Sequence, residues 1–140
     1  MTHNLPHNPK KASPVFRRES DCETEQWVDS IKGSVKWWTL FSADRTPTTD
    51  LTVGIAEIPV GAPTPVRGHW HSLAEVYYIL SGSGYVWIAG DTTSVVAGDA
   101  VFIPGDIEHF AVNTGAEPLR LLYFFPTDSF TDVEYEFPTQ

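Results

Sequence analysis

The chain has 140 residues, of which 41% are hydrophobic and 19% charged, a balance that supports one globular domain with a real core. A formal net charge of −9 argues against nucleic acid as a partner. One cysteine, Cys22, excludes an internal disulfide and suits a reducing cytosol, no apolar run reaches membrane-spanning length, and the N-terminus lacks the apolar core of a signal peptide, so the expected location is cytoplasmic.

Residues 1 to about 20 are rich in Pro, Asn, Lys and His and have no apolar period. They predict a mobile arm, extended to residues 1–33, with a barrel over 34–140. His3 and His7 lie in the arm and are not expected to bind anything. Ser20 and Glu23 have the spacing of a capping box. Trp27 and Ile31, four apart, fit either a short amphipathic turn or an edge strand.

Strand signals begin at Val35. Val35 to Phe41 is aromatic-rich, and Trp37 and Trp38 must face opposite sides, so both sides of this strand should be covered. Ala43 to Asp50 reads as a polar turn. Leu51 to Ile58 alternates in part and contains Gly54, which allows close backbone approach. Pro59 to Gly68 is a Pro/Gly loop leading into His69-Trp70-His71.

Residues two apart on a strand share a face, so His69 and His71 project together. Three residues separate His71 from Glu75, enough for a turn or bulge that re-aims the carboxylate at the same point. Glu75, Tyr77 and Ile79 should then share a face. Arg67 has the parity of the two histidines. It and Trp38 are the candidate substrate contacts, and Arg67 would pair with a carboxylate.

Ser81-Gly82-Ser83-Gly84 is a tight turn. Tyr85 to Ala89 and Thr93 to Val96 flank Gly90-Asp91, a hairpin signal. Ala100 to Ile103 is a short strand ending at Pro104-Gly105-Asp106. His109, on a different strand, should close the site from the far side. Leu119 to Phe125 is a near-continuous apolar run, the pattern of a strand covered on both faces. The tail carries Phe130, Val133, Tyr135 and Phe137 and is expected to fold back over the barrel mouth. About nine short strands with little helical period predict an all-β fold, a double-sheet jelly roll closed into a barrel.

Three imidazoles and one carboxylate, with no thiolate, suit one divalent ion of the Fe, Mn, Ni or Zn group. The ligands would be His69, His71, Glu75 and His109. Four protein ligands leave two positions of an octahedron for a small-molecule substrate.

His69-x-His71-x-x-x-Glu75, with Gly82 following, and Gly98 through Pro104-Gly105, His109 and Asn113 resemble the two motifs of the cupins. Two departures stand out. Gly61 lies eight residues before His69 where six is usual, and Asp106 stands where Gly is usual. Neither touches a ligand position.

A further similarity covers roughly residues 34 to 138. It runs through Trp37 to Asp44, Leu51 to Ile58, His71 to Tyr77 and Phe125 to Tyr135, which resemble the small cupin lyases that cleave dimethylsulfoniopropionate. The resemblance implies a metal-dependent lyase acting on a small organic acid by β-elimination, with Tyr77 as the base and Tyr135 as a second catalytic candidate. A dioxygenase, isomerase or cyclase, or a non-catalytic ligand-binding cupin, is the alternative. Aromatic faces carrying Trp38, Tyr78 and Trp87 predict a homodimer.

Overall fold

The computed structural model describes residues 13–139. Nine strands run in chain order: β1 Glu25–Asp29, β2 Gly33–Phe41, β3 Thr52–Ile58, β4 Glu75–Ser81, β5 Ser83–Ile88, β6 Asp91–Val96, β7 Ala100–Ile103, β8 His109–Asn113 and β9 Leu119–Phe125. They form a six-stranded antiparallel sheet in the order β1-β2-β3-β9-β4-β7 and a three-stranded sheet in the order β6-β5-β8. Two facing antiparallel sheets are the jelly roll that the strand pattern predicts.

Alternation explains which face points inward. On β4, Glu75, Tyr77 and Ile79 are buried while Tyr78 and Leu80 are exposed. On β9, Leu119, Leu121, Tyr123 and Phe125 are buried, and Arg120, Leu122 and Phe124 are half-buried. The apolar run of β9 is therefore amphipathic in place, and the expectation of two covered faces holds only in part. Ile79, Val86, Ile103, Leu119 and Phe125 meet between the sheets. Each such side chain contributes about 1.5–3 kcal/mol on leaving water.

Turns fix the registers. Gly82 joins β4 to β5 at φ 85°, with the Pro118 carbonyl against its Cα, so a side chain there would meet backbone. Ala89 and Gly90 both have positive φ between β5 and β6, the pattern of a type I′ hairpin, one residue earlier than Gly90-Asp91.

The N-terminal stretch differs most from expectation. Glu25–Asp29 forms β1 and pairs with β2 along its whole length, so Trp27 belongs to an edge strand and the sheet begins inside the expected arm. No capping box forms at Ser20. A single 3-10 turn, Glu19–Asp21, stands there, and Arg18 at its N-cap makes no side-chain bond. Residues 17–24 instead lie against the outer face of the large sheet. Arg17 reaches the Thr39 carbonyl and Cys22 Sγ, Arg120 binds Glu19, and Trp38 Nε1 donates to Thr24 Oγ1 at 2.7 Å. His3 and His7 lie outside the described residues.

The tail does return over the barrel. Ser129 caps a 3-10 turn, Phe130–Asp132, through a full capping box. Glu136 then pairs with Trp70 through two backbone hydrogen bonds, of 2.9 and 2.8 Å.

Candidate metal centre and cavity

His109 opens β8, and its backbone pairs with that of His69 in both directions, at 3.2 and 2.9 Å. That one bridge sets His69 beside His109. His69 and Trp70 form only isolated bridges, so the expected histidine strand is no longer than this. His71 lies beyond it, where its carbonyl accepts from the Asp106 amide at 2.7 Å. A bend at Ser72 and Leu73 then turns the chain into β4. Glu75, the first residue of β4, meets the histidines from the third side.

The rings converge. The His69 and His109 centroids are 4.5 Å apart, those of His71 and His109 5.1 Å, and those of His69 and His71 5.9 Å. One nitrogen from each ring lies within 4.8 Å of the other two. Glu75 Oε1 is 3.1 Å from His71 Nε2 and 3.3 Å from His109 Nε2.

Two rings are held by their far nitrogens. His71 Nδ1 pairs with the Leu73 carbonyl at 2.7 Å and His109 Nδ1 with the Ile107 carbonyl at 2.8 Å. A carbonyl only accepts, so each Nδ1 carries the proton and each Nε2 points toward Glu75, His71 Nε2 at hydrogen-bond distance from Oε1. His109 Nε2 is buried and makes no hydrogen bond. An orphaned imidazole lone pair beside a buried carboxylate is what a divalent cation would satisfy, and the donor set fits one.

Charge within the cluster is uneven. Burial first, then His109 and His71, push His69 well below the usual histidine range. Burial also opposes charge on His71, but the Glu75 hydrogen bond and charge, with the Leu73 carbonyl, outweigh it and hold His71 above its ordinary value. Tyr77 and Tyr135 are both raised well above the usual phenol, by burial first and then by the Glu75 carboxylate.

A cavity of about 310 Å³ opens from the cluster. His69, Glu75 and Tyr77 line one end, and Trp37, Tyr123 and Phe130 continue the wall. Tyr135 lies edge-on to His69 and His71, with centroids at 5.0 and 5.3 Å. Phe137, two residues on, packs on Trp27 at 5.5 Å and under Lys32 at 4.0 Å.

The structure thus brings together His69, His71, Glu75, His109, Tyr77 and Tyr135. It does not bring in the two expected substrate contacts. Arg67 donates to the Pro138 carbonyl at 2.5 Å, outside this cavity, and pins the returning tail. Trp38 faces outward under the Arg120 guanidinium, 5.4 Å away, because it is Trp37 that takes the inward parity. Trp27, Trp37, Tyr123 and Phe130 line the cavity although the sequence pattern assigns none of them to the site. The alternation Leu119, Leu121, Tyr123, Phe125 carried the signal for Tyr123, whereas adjacent tryptophans carry none for which of them points in.

Comparison with known proteins places this geometry. Residues 54–125 match the model of the family described as "Cupin domain", and the chain belongs to that family. It is 37% identical over 134 residues to the dimethylsulfoniopropionate lyase DddW of Ruegeria pomeroyi, covering 96% of this chain and 83% of that protein. Over 71 residues, 45% of this chain and 38% of that protein, it is 32% identical to a glucose-6-phosphate isomerase of Thermococcus gammatolerans.

Among solved structures, the polyketide cyclase RemF of Streptomyces resistomycificus superposes with a TM-score of 0.71 at 21% identity, covering 91% of this chain and 89% of that one. A predicted oxalate decarboxylase of Thermotoga maritima superposes with a TM-score of 0.68 at 24% identity, covering 81% and 99%. These structures share the fold. Enzymes recur among the relatives, and three histidines here can hold a metal. No helix among the described residues is long and apolar enough to cross a membrane.

Proposed function

We propose that the protein is a metal-dependent lyase that removes a β-leaving group from a small organic acid, dimethylsulfoniopropionate or a close analogue. The observation that carries this is Tyr77, buried on the face of β4 that also presents Glu75, 6.3 Å from the His109 ring and lining the cavity. The 37% identity to a dimethylsulfoniopropionate lyase supports the choice of substrate. The ligands of the ion are His69, His71, Glu75 and His109. When bound, a divalent ion of the Fe, Mn, Ni or Zn group supplies Lewis-acid polarisation of a substrate carboxylate and positive charge beside Tyr77.

The chain's own residues do the rest. Without that charge, burial and Glu75 keep the Tyr77 proton in place. As phenolate, Tyr77 Oη takes the hydrogen α to the carboxylate. The C–H electron pair becomes the Cα–Cβ double bond, and the Cβ–S bond breaks with its pair leaving on sulfur. A sulfonium therefore departs as a neutral sulfide, leaving an unsaturated acid, and no oxygen is consumed. Tyr77 regains its reactive form by losing the proton to solvent. Tyr135 covers the imidazoles, and its aromatic face with those of Trp37 and Phe130 suits a cationic sulfonium.

The test is release of dimethyl sulfide under anaerobic conditions by protein loaded in turn with Fe(II), Mn(II), Ni(II) and Zn(II). Tyr77→Phe keeps the packing and removes the hydroxyl. It is expected to lower the rate about 10²–10⁴-fold at unchanged metal content. No sulfide from any loaded wild-type form ends the lyase reading, and oxygen uptake in a parallel aerobic assay would turn it to a dioxygenase.

The proposal includes a homodimer. Tyr78, Leu80 and Phe102 are 44%, 41% and 67% exposed on the outer face of β4 and β7, beyond the part that residues 17–24 cover. Light scattering at micromolar concentration is expected to give twice the chain mass. A monomeric mass rejects it.

A further inference from the structure

The cavity continues past the metal centre. His109, Ala111 and Asn113 alternate onto one face of β8; the first belongs to the imidazole cluster, and the other two line the cavity. Strand rise puts roughly 13 Å between His109 and Asn113. The opposite wall runs the same way. Tyr77 and Tyr123 stand in register beside the cluster. Ile79, Leu121, Ala56 and Trp37 form the next row, and Leu119 and Ile58 the row after that. Asn113 Nδ2 donates to the Ile58 carbonyl at 2.9 Å, so the two walls meet at that end.

This far part of the cavity is apolar. Ala56 and Ala111 leave the room in it, and Ile58, Ala62, Pro63 and Leu121 complete the lining. The polar atoms nearby are already engaged. Asn113 spends its second Nδ2 hydrogen on the Glu117 carbonyl at 2.9 Å, and its Oδ1 accepts from the Gly115 amide at 2.8 Å. Trp37 directs its indole N–H at Glu25 and Tyr123 its hydroxyl at Thr39, so both turn only their rings to the cavity. Lys32 and Ser34 line it from the hairpin between β1 and β2, where Lys32 is exposed and its ammonium lies 4.0 Å over the Phe137 ring.

The space exceeds what the proposed acid needs. A volume of about 310 Å³ falls within the range of about 300–1,000 Å³ that holds drug-sized ligands. In dimethylsulfoniopropionate an ethylene bridge is all that separates carboxylate from sulfur. With its carboxylate at the cluster, that sulfur stops beside Trp37, well short of Asn113. We infer that the cavity beyond Trp37 is an alkyl-binding arm, so that the site takes small acids whose sulfur carries a chain of several carbons. This rests on the small-acid reading above and adds to it the class of leaving group. Apolar surface on that chain leaves water on entering the arm, and Ala56 and Ala111 set how long a chain fits.

The experiment is calorimetric titration of the Mn(II)-loaded protein with propionate, butyrate and hexanoate, which share the carboxylate and lack a leaving group. Wild type is expected to bind them with affinity rising roughly fourfold for each added methylene. Ala111→Leu and Ala56→Leu fill the arm from opposite walls, and each should bring the ratio of hexanoate to propionate affinity close to one. Manganese content is measured alongside. Ala56 lies away from the ligands and keeps the test open if a leucine beside His109 disturbs the centre. Among sulfonium substrates, replacing one S-methyl group by S-butyl should lower KM in wild type and not in the leucine variants. If propionate binds and hexanoate binds no tighter, the arm is refuted and the small-acid reading stands. The arm is refuted likewise if both leucine variants keep the full gain for hexanoate. If no carboxylate binds the loaded wild type, the small-acid reading falls and the arm with it.

Discussion

The imidazole cluster is built in two halves by different means. His109 belongs to β8, a strand paired with β5, and is fully buried. His69 and His71 belong to no strand. One backbone bridge to His109 fixes the first, and one hydrogen bond from the Pro104–Asp106 turn fixes the second. One half inherits its position from a sheet, while the other depends on two loops touching. The difference teaches where such a centre is vulnerable: its ligands are equivalent as chemistry and unequal as architecture.

The largest effect comes from removing a ligand on each side. His69→Ala with His109→Ala should abolish metal binding by elemental analysis, since neither half holds an ion alone. Full occupancy in that double variant would dismiss the assignment of ligands.

A subtler cut separates the halves. Gly105 packs against the Ser72 carbonyl, and a methyl group there would collide with backbone. Gly105→Ala should therefore push the His71 loop off the turn while leaving β8 paired. Metal affinity is expected to fall about 10–100-fold, the scale of losing an outer-shell support. Hydrogen exchange should rise around His71 and not along β8, and equal loosening of both would erase the distinction drawn here.

The smallest effect is one of pH, and it falls on the loop half. His71 is held above its ordinary value and His69 well below, so on acidification His71 takes a proton while His69 stays neutral. Metal affinity should fall as the pH drops through the raised His71 value, sooner than ordinary imidazoles near 6.5 would require. The sign reverses without metal. A raised folded-state value stabilises fully below the unfolded value and is lost as pH rises through the folded one. Melting temperatures of the loaded and metal-free forms should thus move in opposite directions over that window. Parallel movement would reject the assignment of the proton to His71.

Much of this was legible in the residues. The parity of Glu75, Tyr77 and Ile79 and the spacing of His69, His71 and His109 gave the cluster, because strand alternation is a local rule. Asp106 stands in a glycine's place, and its φ of 63° shows why glycine would suit it. Trp38 and Arg67 were misplaced for a different reason. Parity says that two residues differ in face but not which face is inside, and Arg67 found a carbonyl 71 positions away that no local pattern reveals. The edge strand at Glu25–Asp29 was obscure because its pairing with β2, and not its composition, makes it a strand.

The place of β9 has a consequence for how the protein comes into being. It lies between β3 and β4 and pairs with both, yet it follows every other described strand in sequence. While the polypeptide emerges from the ribosome, β3 and β4 each present a bare edge, and nothing joins the two portions of the large sheet. Such edges invite pairing with neighbouring chains. Nascent copies truncated before Leu119 should therefore associate with one another or be bound by chaperones, and the finished barrel should fold slowly for its length, since its central strand closes contacts of long range.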